Sequence, residues 1–156
     1  MTSPQAGPTA VIYGLGAVLP PRAVPNDKLC TVLDTTDKWI RTRTGIRERR
    51  IADPGVSTED LAVAAAIRAL QSGGPGDIHA VVLATTTPDH LMPATAPSVA
   101  HRLGLTEVAA FDVAAVCTGF VYALATAAGL IAAQTARTVL VIGADRMSPL
   151  PAADDR

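Results

Sequence analysis

One cysteine occupies a position suited to nucleophilic chemistry. Cys117 lies in the segment FDVAAVCTGFVYALATAAGL, residues 111–130, where a short apolar strand-like run gives way to a helical one. The positive end of a helix dipole stabilises negative charge, and thiolate is the nucleophilic form of cysteine. A sharp strand-to-helix turn also presents backbone N–H groups to a developing oxyanion. Because free cysteine is among the most buried residue types, a core role for Cys117 is the alternative.

A second group of candidate residues combines an aromatic ring with several cations. The group consists of Thr35, Trp39, Arg43, Arg47, Arg49 and Arg50. An indole face and a guanidinium can both stack on a planar ligand, and arginine also holds phosphate. A solvated basic face anchored by Trp39 is the alternative. Nucleic acid is not expected as a partner, because the chain has one tryptophan and a net charge of -1.

The remaining residues with chemical potential are assigned to structure. Asp89, His90 and His101 could suggest acid–base chemistry or a metal, but no partner histidine or cysteine has ligand spacing. No metal site is therefore expected. Cys30 lacks the helix-terminus context of Cys117 and is interpreted as structural.

Composition restricts the classes of protein that the chain can represent. The 156 residues are 49% hydrophobic and only 3% aromatic, which predicts one aliphatic core. Two cysteines are too few for a disulfide framework, so a reduced, cytoplasmic protein is expected. The N-terminus lacks the form of a signal peptide. The longest uncharged run, Val113–Ala136, is rich in Ala, Thr and Gly, so no membrane span is expected.

Hydrophobic periodicity and punctuation by Gly and Pro predict alternating strands and helices. The predicted strands are Ala10–Leu19, Ile78–Ala84, Val108–Val113 and Thr138–Gly143. The first predicted helix is capped by Asn26 and extends through Val32. The others are Thr35–Thr44, a helix that begins with a capping box at Ser57 and ends at Gly73–Gly76, Pro93–Leu103 and Thr118–Gln134. Residues 46–57 are expected to be loop. The pattern favours an α/β fold with a mixed, mostly parallel sheet that is covered on both faces.

The helix after Cys117 is unusual because no face of it carries charge. A surface helix normally shows a polar stripe, yet this one offers only Thr118, Tyr122, Thr126 and Gln134. We therefore expect another subunit, or another part of the same protein, to cover it.

Four segments together resemble the β-ketoacyl-acyl carrier protein synthase III family of the thiolase superfamily. They are TTDKWIRTRTGIRERRIA, VVLATTTPDHLMPATAP, AFDVAAVCTGFVYAL and the closing DDR, in the family's order from about residue 10 to the end. The resemblance implies a thiolase-like fold with αβαβα layers, of which residues 10–145 form the N-terminal half-domain. Residues 1–9 are then expected to be a disordered tail, and residues 146–156 a mobile loop that leads to a missing C-terminal half.

The resemblance also implies the chemistry and the residues that perform it. Cys117 would accept an acyl group from acyl-CoA, and a malonyl thioester on acyl carrier protein would decarboxylate and attack it to give a β-ketoacyl thioester. No cofactor is implied beyond acyl-CoA as substrate. Trp39 and Arg156 would flank the CoA adenine, and Thr35 and Arg43 would contact the nucleotide end. Met92, where many members carry Phe, would line the acyl pocket of the neighbour in a homodimer.

Two other functions stay open on the sequence. A thiolase-fold acyltransferase would move the acyl group from Cys117 to an alcohol, amine or carrier thiol, and a non-catalytic subunit would only shape a heterodimer. The family's catalytic His and Asn lie in its second half, and this chain has no match for either. Because Arg156 is a site for a trypsin-like protease and exposed loops are nicked readily, we expect the C-terminal half to be present as a second chain. A truncated chain and a disordered remainder are the alternatives.

Overall fold

The computed structural model describes residues 9–74 and 76–148. The strands are β1 Arg22–Pro25, β2 Glu48–Ile51, β3 Ala80–Ala84, β4 Ala109–Val113 and β5 Val139–Gly143. The helices are α1 Asn26–Leu29, α2 Asp37–Thr44, α3 Thr58–Gly73, α4 Thr95–Arg102 and α5 Gly119–Ala132, with a 3-10 turn at Val116–Thr118. The predicted tail lies outside the described residues except at Thr9, and so does the predicted loop from residue 149 onwards.

These elements form two compact units. Unit 1 comprises the described residues up to Val18 together with Ser57–Asp145. Unit 2 comprises Leu19–Val56 and the described residues from Arg146 onwards. Unit 1 contains β3 to β5 and α3 to α5, whereas unit 2 contains β1, β2, α1 and α2.

Unit 1 is built on a parallel sheet with strand order β4-β3-β5. The central strand β3 has the sequence AVVLA and is buried throughout, as expected for a parallel strand with helices on both faces. Val81 and Leu83 face a core that includes α3 and α4, whereas Val82 and Ala84 face α5. The predicted α/β class and the predicted strands at 78–84, 108–113 and 138–143 are confirmed, each trimmed by one or two residues.

Carboxylates fix the N-termini of α3 and α4, the two helices that pack on the same face of the sheet. The predicted capping box is confirmed, because Ser57 Oγ accepts from the Asp60 N–H and Asp60 accepts from the Ser57 N–H. Asp89 accepts from the N–H groups of Thr58 and Glu59, at 3.1 and 2.8 Å. Asp112 does the same for the first two N–H groups of α4, at 2.8 Å each. Asp89 therefore has a structural role.

The segment predicted as a buried strand at residues 10–19 is not a strand, and this prediction is wrong. Val11, Ile12 and Leu15 are exposed, and the segment runs against α3 instead of a neighbouring strand. A Cβ on Gly16 would lie only 2.3 Å from Ala65 O, so only glycine permits this approach. An apolar run forms a strand only when a partner strand offers its backbone groups, and the described residues offer none here.

Unit 2 departs from prediction at two places. Residues 46–57 were expected to be loop, but they contain β2, which pairs antiparallel with β1. Asn26 was expected to cap a helix that extends to Val32, but α1 ends at Leu29 and the Asn26 side chain makes tertiary hydrogen bonds instead. Helix α2 is confirmed, with Thr36 as its N-cap and Gly45 in the left-handed conformation at its end.

Within the described part of the chain, no helix combines the length and apolar character needed to cross a membrane.

Candidate active site

Cys117 is exposed in the turn that joins β4 to α5. Strand β4 ends at Val113, the 3-10 turn covers Val116–Thr118, and α5 begins at Gly119. In the parallel sheet, the ends of all three strands lie side by side, since Ala84 is paired with both Val113 and Gly143. Cys117 therefore lies beyond the carboxyl ends of parallel strands, where α/β proteins usually place their ligands. Within this chain, Cys117 is exposed and does not belong to either of the buried core clusters.

The backbone around Cys117 is tightly constrained. Val116 has a φ angle of 48°, a left-handed conformation that β-branched residues avoid. Gly119 is buried, and a Cβ on it would lie 3.2 Å from Ala84 Cβ, which lets the first turn of α5 pack directly on β3. Strained backbone is concentrated at functional sites, because only a rigid surrounding structure maintains it.

At the same edge of the sheet, the Asp145 carboxylate holds the threonine-rich loop that follows β3. This role of Asp145 was not predicted from the sequence. Asp145 follows β5, and its Oδ1 accepts from the Thr86 N–H at 2.7 Å and the Thr86 hydroxyl at 2.9 Å. The hydroxyl of Thr85 donates to the same oxygen at 3.3 Å. Three consecutive threonines directly after a buried strand were the available signal. This network joins the loops after β3 and β5.

An apolar cavity of about 820 Å³ opens in unit 1 and includes Cys117 in its lining. Most of the other lining residues come from residues 10–18, α3, α5 and β5. Strand β5 pairs with β3 on one side and has no strand on its other side among the described residues. Helix α5 also leaves Phe120, Val121 and Tyr122 exposed. An uncovered sheet edge next to an exposed apolar helix face is typical of an interface.

Helix α2 in unit 2 presents a second candidate surface. The Trp39 side chain is 57% exposed, and the Arg43 guanidinium carbon lies 5.8 Å from the centre of its ring. The two residues are one helical turn apart and form a cation–π pair on the helix surface. The structure thus brings together two of the four residues predicted to bind CoA.

The other predicted site residues have different environments. Thr35 Oγ1 is buried and makes no hydrogen bond among the described residues. Met92 is 83% exposed in the loop before α4, beside Leu91. Arg156 lies outside the described residues.

The arginines beyond α2 have mainly structural partners. Arg49 donates to Asn26 Oδ1 at 2.8 Å, and Arg50 pairs with Glu48 at 2.9 Å. The part of the chain described by the structure contains no cluster of three or more His, Cys, Asp or Glu side chains that could hold a metal ion.

Comparison with known proteins identifies the family. The family model for 3-oxoacyl-[acyl-carrier-protein (ACP)] synthase III matches residues 111–156, which include Cys117. The chain is 55% identical, over 149 residues, to β-ketoacyl-[acyl-carrier-protein] synthase III 3 of Streptomyces coelicolor. This match covers 94% of this chain and 44% of that protein.

Solved structures agree with the sequence matches. 3-Oxoacyl-(acyl carrier protein) synthase III from Pseudomonas aeruginosa superimposes with a TM-score of 0.88 at 48% identity, over 96% of this chain and 47% of that one. The priming β-ketosynthase of the R1128 polyketide biosynthetic pathway gives a TM-score of 0.88 at 37% identity, over 99% of this chain and 48% of that one. The chain spans slightly less than half the length of these relatives. It therefore belongs to the β-ketoacyl-[acyl-carrier-protein] synthase III family, and its α/β fold is one half of their thiolase-like fold.

Proposed function

We propose that the protein primes fatty-acid or polyketide synthesis by decarboxylative condensation of an acyl-CoA with a malonyl thioester on acyl carrier protein. One observation carries this proposal: an exposed Cys117 lies beyond the carboxyl ends of parallel strands, at the start of α5, in a chain of this family. Acyl carrier protein is named by the family description and by the relatives.

In the first half-reaction, the Cys117 thiolate attacks the acyl-CoA carbonyl, the thioester C–S bond breaks, and CoA leaves as its thiolate, which takes up a proton from water. The tetrahedral intermediate needs donors for its oxyanion. The N–H groups of Thr118 and Gly119 are already bonded to Ala115 O and Val116 O. We assign the donor from this turn to the N–H of Cys117 itself. No cofactor takes part beyond acyl-CoA as substrate, and a cytoplasmic location keeps the thiol reduced.

In the second half-reaction, malonyl-acyl carrier protein loses CO2 and its carbanion attacks the acyl-cysteine. The new carbon–carbon bond forms as the Cys117 thiolate departs, and the product is a β-ketoacyl thioester. The family's catalytic His and Asn are supplied from outside these 156 residues. We propose that they belong to the C-terminal half, present as a second chain in a homodimeric enzyme. The open β5 edge and the bare α5 face support such a partner.

The nucleotide end of acyl-CoA is assigned to α2. Trp39 and Arg156 flank the adenine, and Thr35 and Arg43 contact the nucleotide. The exposed Trp39–Arg43 pair supports this assignment, because a free aromatic face and an adjacent guanidinium suit a purine with phosphates. Met92 is assigned to the acyl pocket of the partner subunit, and its exposure supports that role.

A product assay with the full-length enzyme tests the reaction. Incubation with a panel of acyl-CoAs and malonyl-acyl carrier protein should release CO2 and give a carrier protein whose mass corresponds to a β-ketoacyl group. Transfer of the intact acyl group to an alcohol, amine or carrier thiol, without CO2 release, would show the acyltransferase instead. An enzyme that consumes none of the acyl-CoAs would be a non-catalytic subunit. The mass of the denatured sample separately tests the two-chain arrangement, which a single full-length species would contradict.

A further inference from the structure

Asn26 is the one asparagine of the sequence and its side chain is almost completely buried, with 1% exposure. Its Nδ2 donates to Asp37 Oδ1 at 2.9 Å and to the Ile46 carbonyl at 2.8 Å. Its Oδ1 accepts from Arg49 Nη1 at 2.8 Å. The Asn26 backbone N–H adds a bond to Arg47 O at 3.2 Å. A buried amide with this many partners fixes the segments that supply them.

The partners lie at both ends of the same helix. Asp37 is the first residue of α2, and Ile46 follows directly after its C-terminal Gly45. Arg49 lies in β2. The second oxygen of Asp37 is engaged by Arg41 at 3.4 Å. With eight residues, α2 is too short to be stable alone, so tertiary contacts of this kind determine where it lies.

The residues that α2 presents depend on this placement. Trp39 and Arg43 lie between the two ends that Asn26 holds, and both stand on the helix surface. Stacking on a planar base requires the ring at a defined position, and shifts of about 1 Å in a supporting element weaken such a site. No substrate atom needs to touch Asn26 for this effect.

We propose that Asn26 is a positioning residue for recognition of the nucleotide end of acyl-CoA, because its side chain locks both ends of α2 and thereby orients Trp39 and Arg43. The inference rests on the proposed function of α2. It predicts that loss of the Asn26 amide weakens acyl-CoA binding and leaves the chemistry at Cys117 unaffected.

The test is steady-state kinetics on the full-length enzyme. For Asn26→Ala, the KM for acyl-CoA should rise about tenfold, with kcat and the KM for malonyl-acyl carrier protein within about twofold of wild type. In Asn26→Asp, a carboxylate would face both Asp37 and the Ile46 carbonyl, so the increase should be larger. When Asp37→Asn is added to Asn26→Asp, the amide at position 37 can donate to the carboxylate at position 26. This restores one hydrogen bond in the reverse direction, and the KM for acyl-CoA should partly recover. This double variant also serves if Asn26→Ala does not fold.

Two controls separate positioning from general destabilisation and from failure of the underlying proposal. Thr58 is equally buried in unit 1 and donates to Thr87 O at 2.6 Å. Thr58→Val should lower the melting temperature without changing the KM for acyl-CoA. Trp39→Ala should raise that KM. If it does so while the Asn26 variants keep the wild-type KM, the positioning role is refuted. If Trp39→Ala leaves the KM unchanged, the nucleotide role of α2 fails, and this inference fails with it.

Discussion

Val116 holds a left-handed backbone conformation immediately before the proposed nucleophile, with φ of 48°. This conformation costs about 1–2 kcal/mol for an L-residue with a Cβ. The Val116 side chain is exposed, so little burial offsets the cost. On the other side of Cys117, Gly119 lies close to Ala84 of β3, so the backbone is constrained both before and after the cysteine.

We predict that Val116→Gly raises the free energy of unfolding of the full-length enzyme by about 0.5–1 kcal/mol, or roughly 2 °C in melting temperature. Glycine adopts this φ without the steric cost but loses more entropy on folding. Ile67→Gly is the control, since Ile67 is also exposed but lies inside α3, where glycine should lower the free energy of unfolding by at least about 1 kcal/mol. A melting temperature lowered by both substitutions would show that Val116 is unstrained.

At the scale of single residues, the sequence located the turn that contains Cys117 but did not reveal the backbone conformation or the side-chain partners around it. The strand-to-helix transition around Cys117 was sufficient to locate the turn. Nothing in a valine indicates a positive φ, because the surrounding packing imposes it. Asn26 was misassigned because asparagine before a helical pattern is typical of an N-cap, whereas its partners Ile46 and Arg49 come together with it only in the folded unit.

Among the elements, the N-terminus of α3 shows the clearest stabilisation by a charged side chain, Asp60. The Ser57 N–H holds the pKa of Asp60 below its ordinary value, and Arg102 adds to this effect with a hydrogen bond of 2.8 Å. A carboxylate whose folded pKa is lowered stabilises the fold above its unfolded pKa, and that contribution disappears as the pH falls through the folded pKa.

We predict that the stability difference between wild type and Asp60→Asn, measured by denaturant unfolding, is present at pH 7 and shrinks below about pH 4. Thr36→Ala is the comparison, because it removes the N-cap hydroxyl of α2 and should cost about 1 kcal/mol across the whole range. A difference for Asp60→Asn that stays constant down to acid pH would contradict this electrostatic account.

Elements with a local signal were predictable, and elements that depend on distant partners were not. The capping box defined the start of α3, and continuous apolar runs defined β3 and β5. Strands β1 and β2 have the sequences RAVP and ERRI, which show little alternation of apolar and polar residues. Their pairing could therefore not be predicted from the sequence. Residues 10–19 show the converse, because their apolar pattern is typical of a strand but no partner strand is described.

On the scale of the whole molecule, the bare face of α5 is the most informative feature. The sequence predicted that α5 has no charged face. In the structure, its apolar and aromatic side chains Phe120, Val121 and Tyr122 are exposed. Because the chain spans under half the length of its relatives, we propose that the other half covers this face. A charge placed there would be buried without a partner, which costs several kcal/mol.

We predict that Val121→Asp lowers the melting temperature of the full-length enzyme by at least about 5 °C. Val32→Asp is the matched control, since Val32 and Val121 are each 64% exposed in this chain. The control should shift the midpoint by less than about 2 °C. Equal, small effects of the two substitutions would show that α5 stays uncovered in the complete protein.

The most direct test of the central claim is peptide mapping of the full-length enzyme after incubation with an acyl-CoA in the absence of malonyl-acyl carrier protein. We predict an acyl adduct on the peptide that contains Cys117, retained in Cys30→Ala and lost in Cys117→Ala. An adduct that persists in Cys117→Ala, or the absence of any adduct across a panel of acyl-CoAs, would contradict the assignment of Cys117 as the acyl-accepting nucleophile.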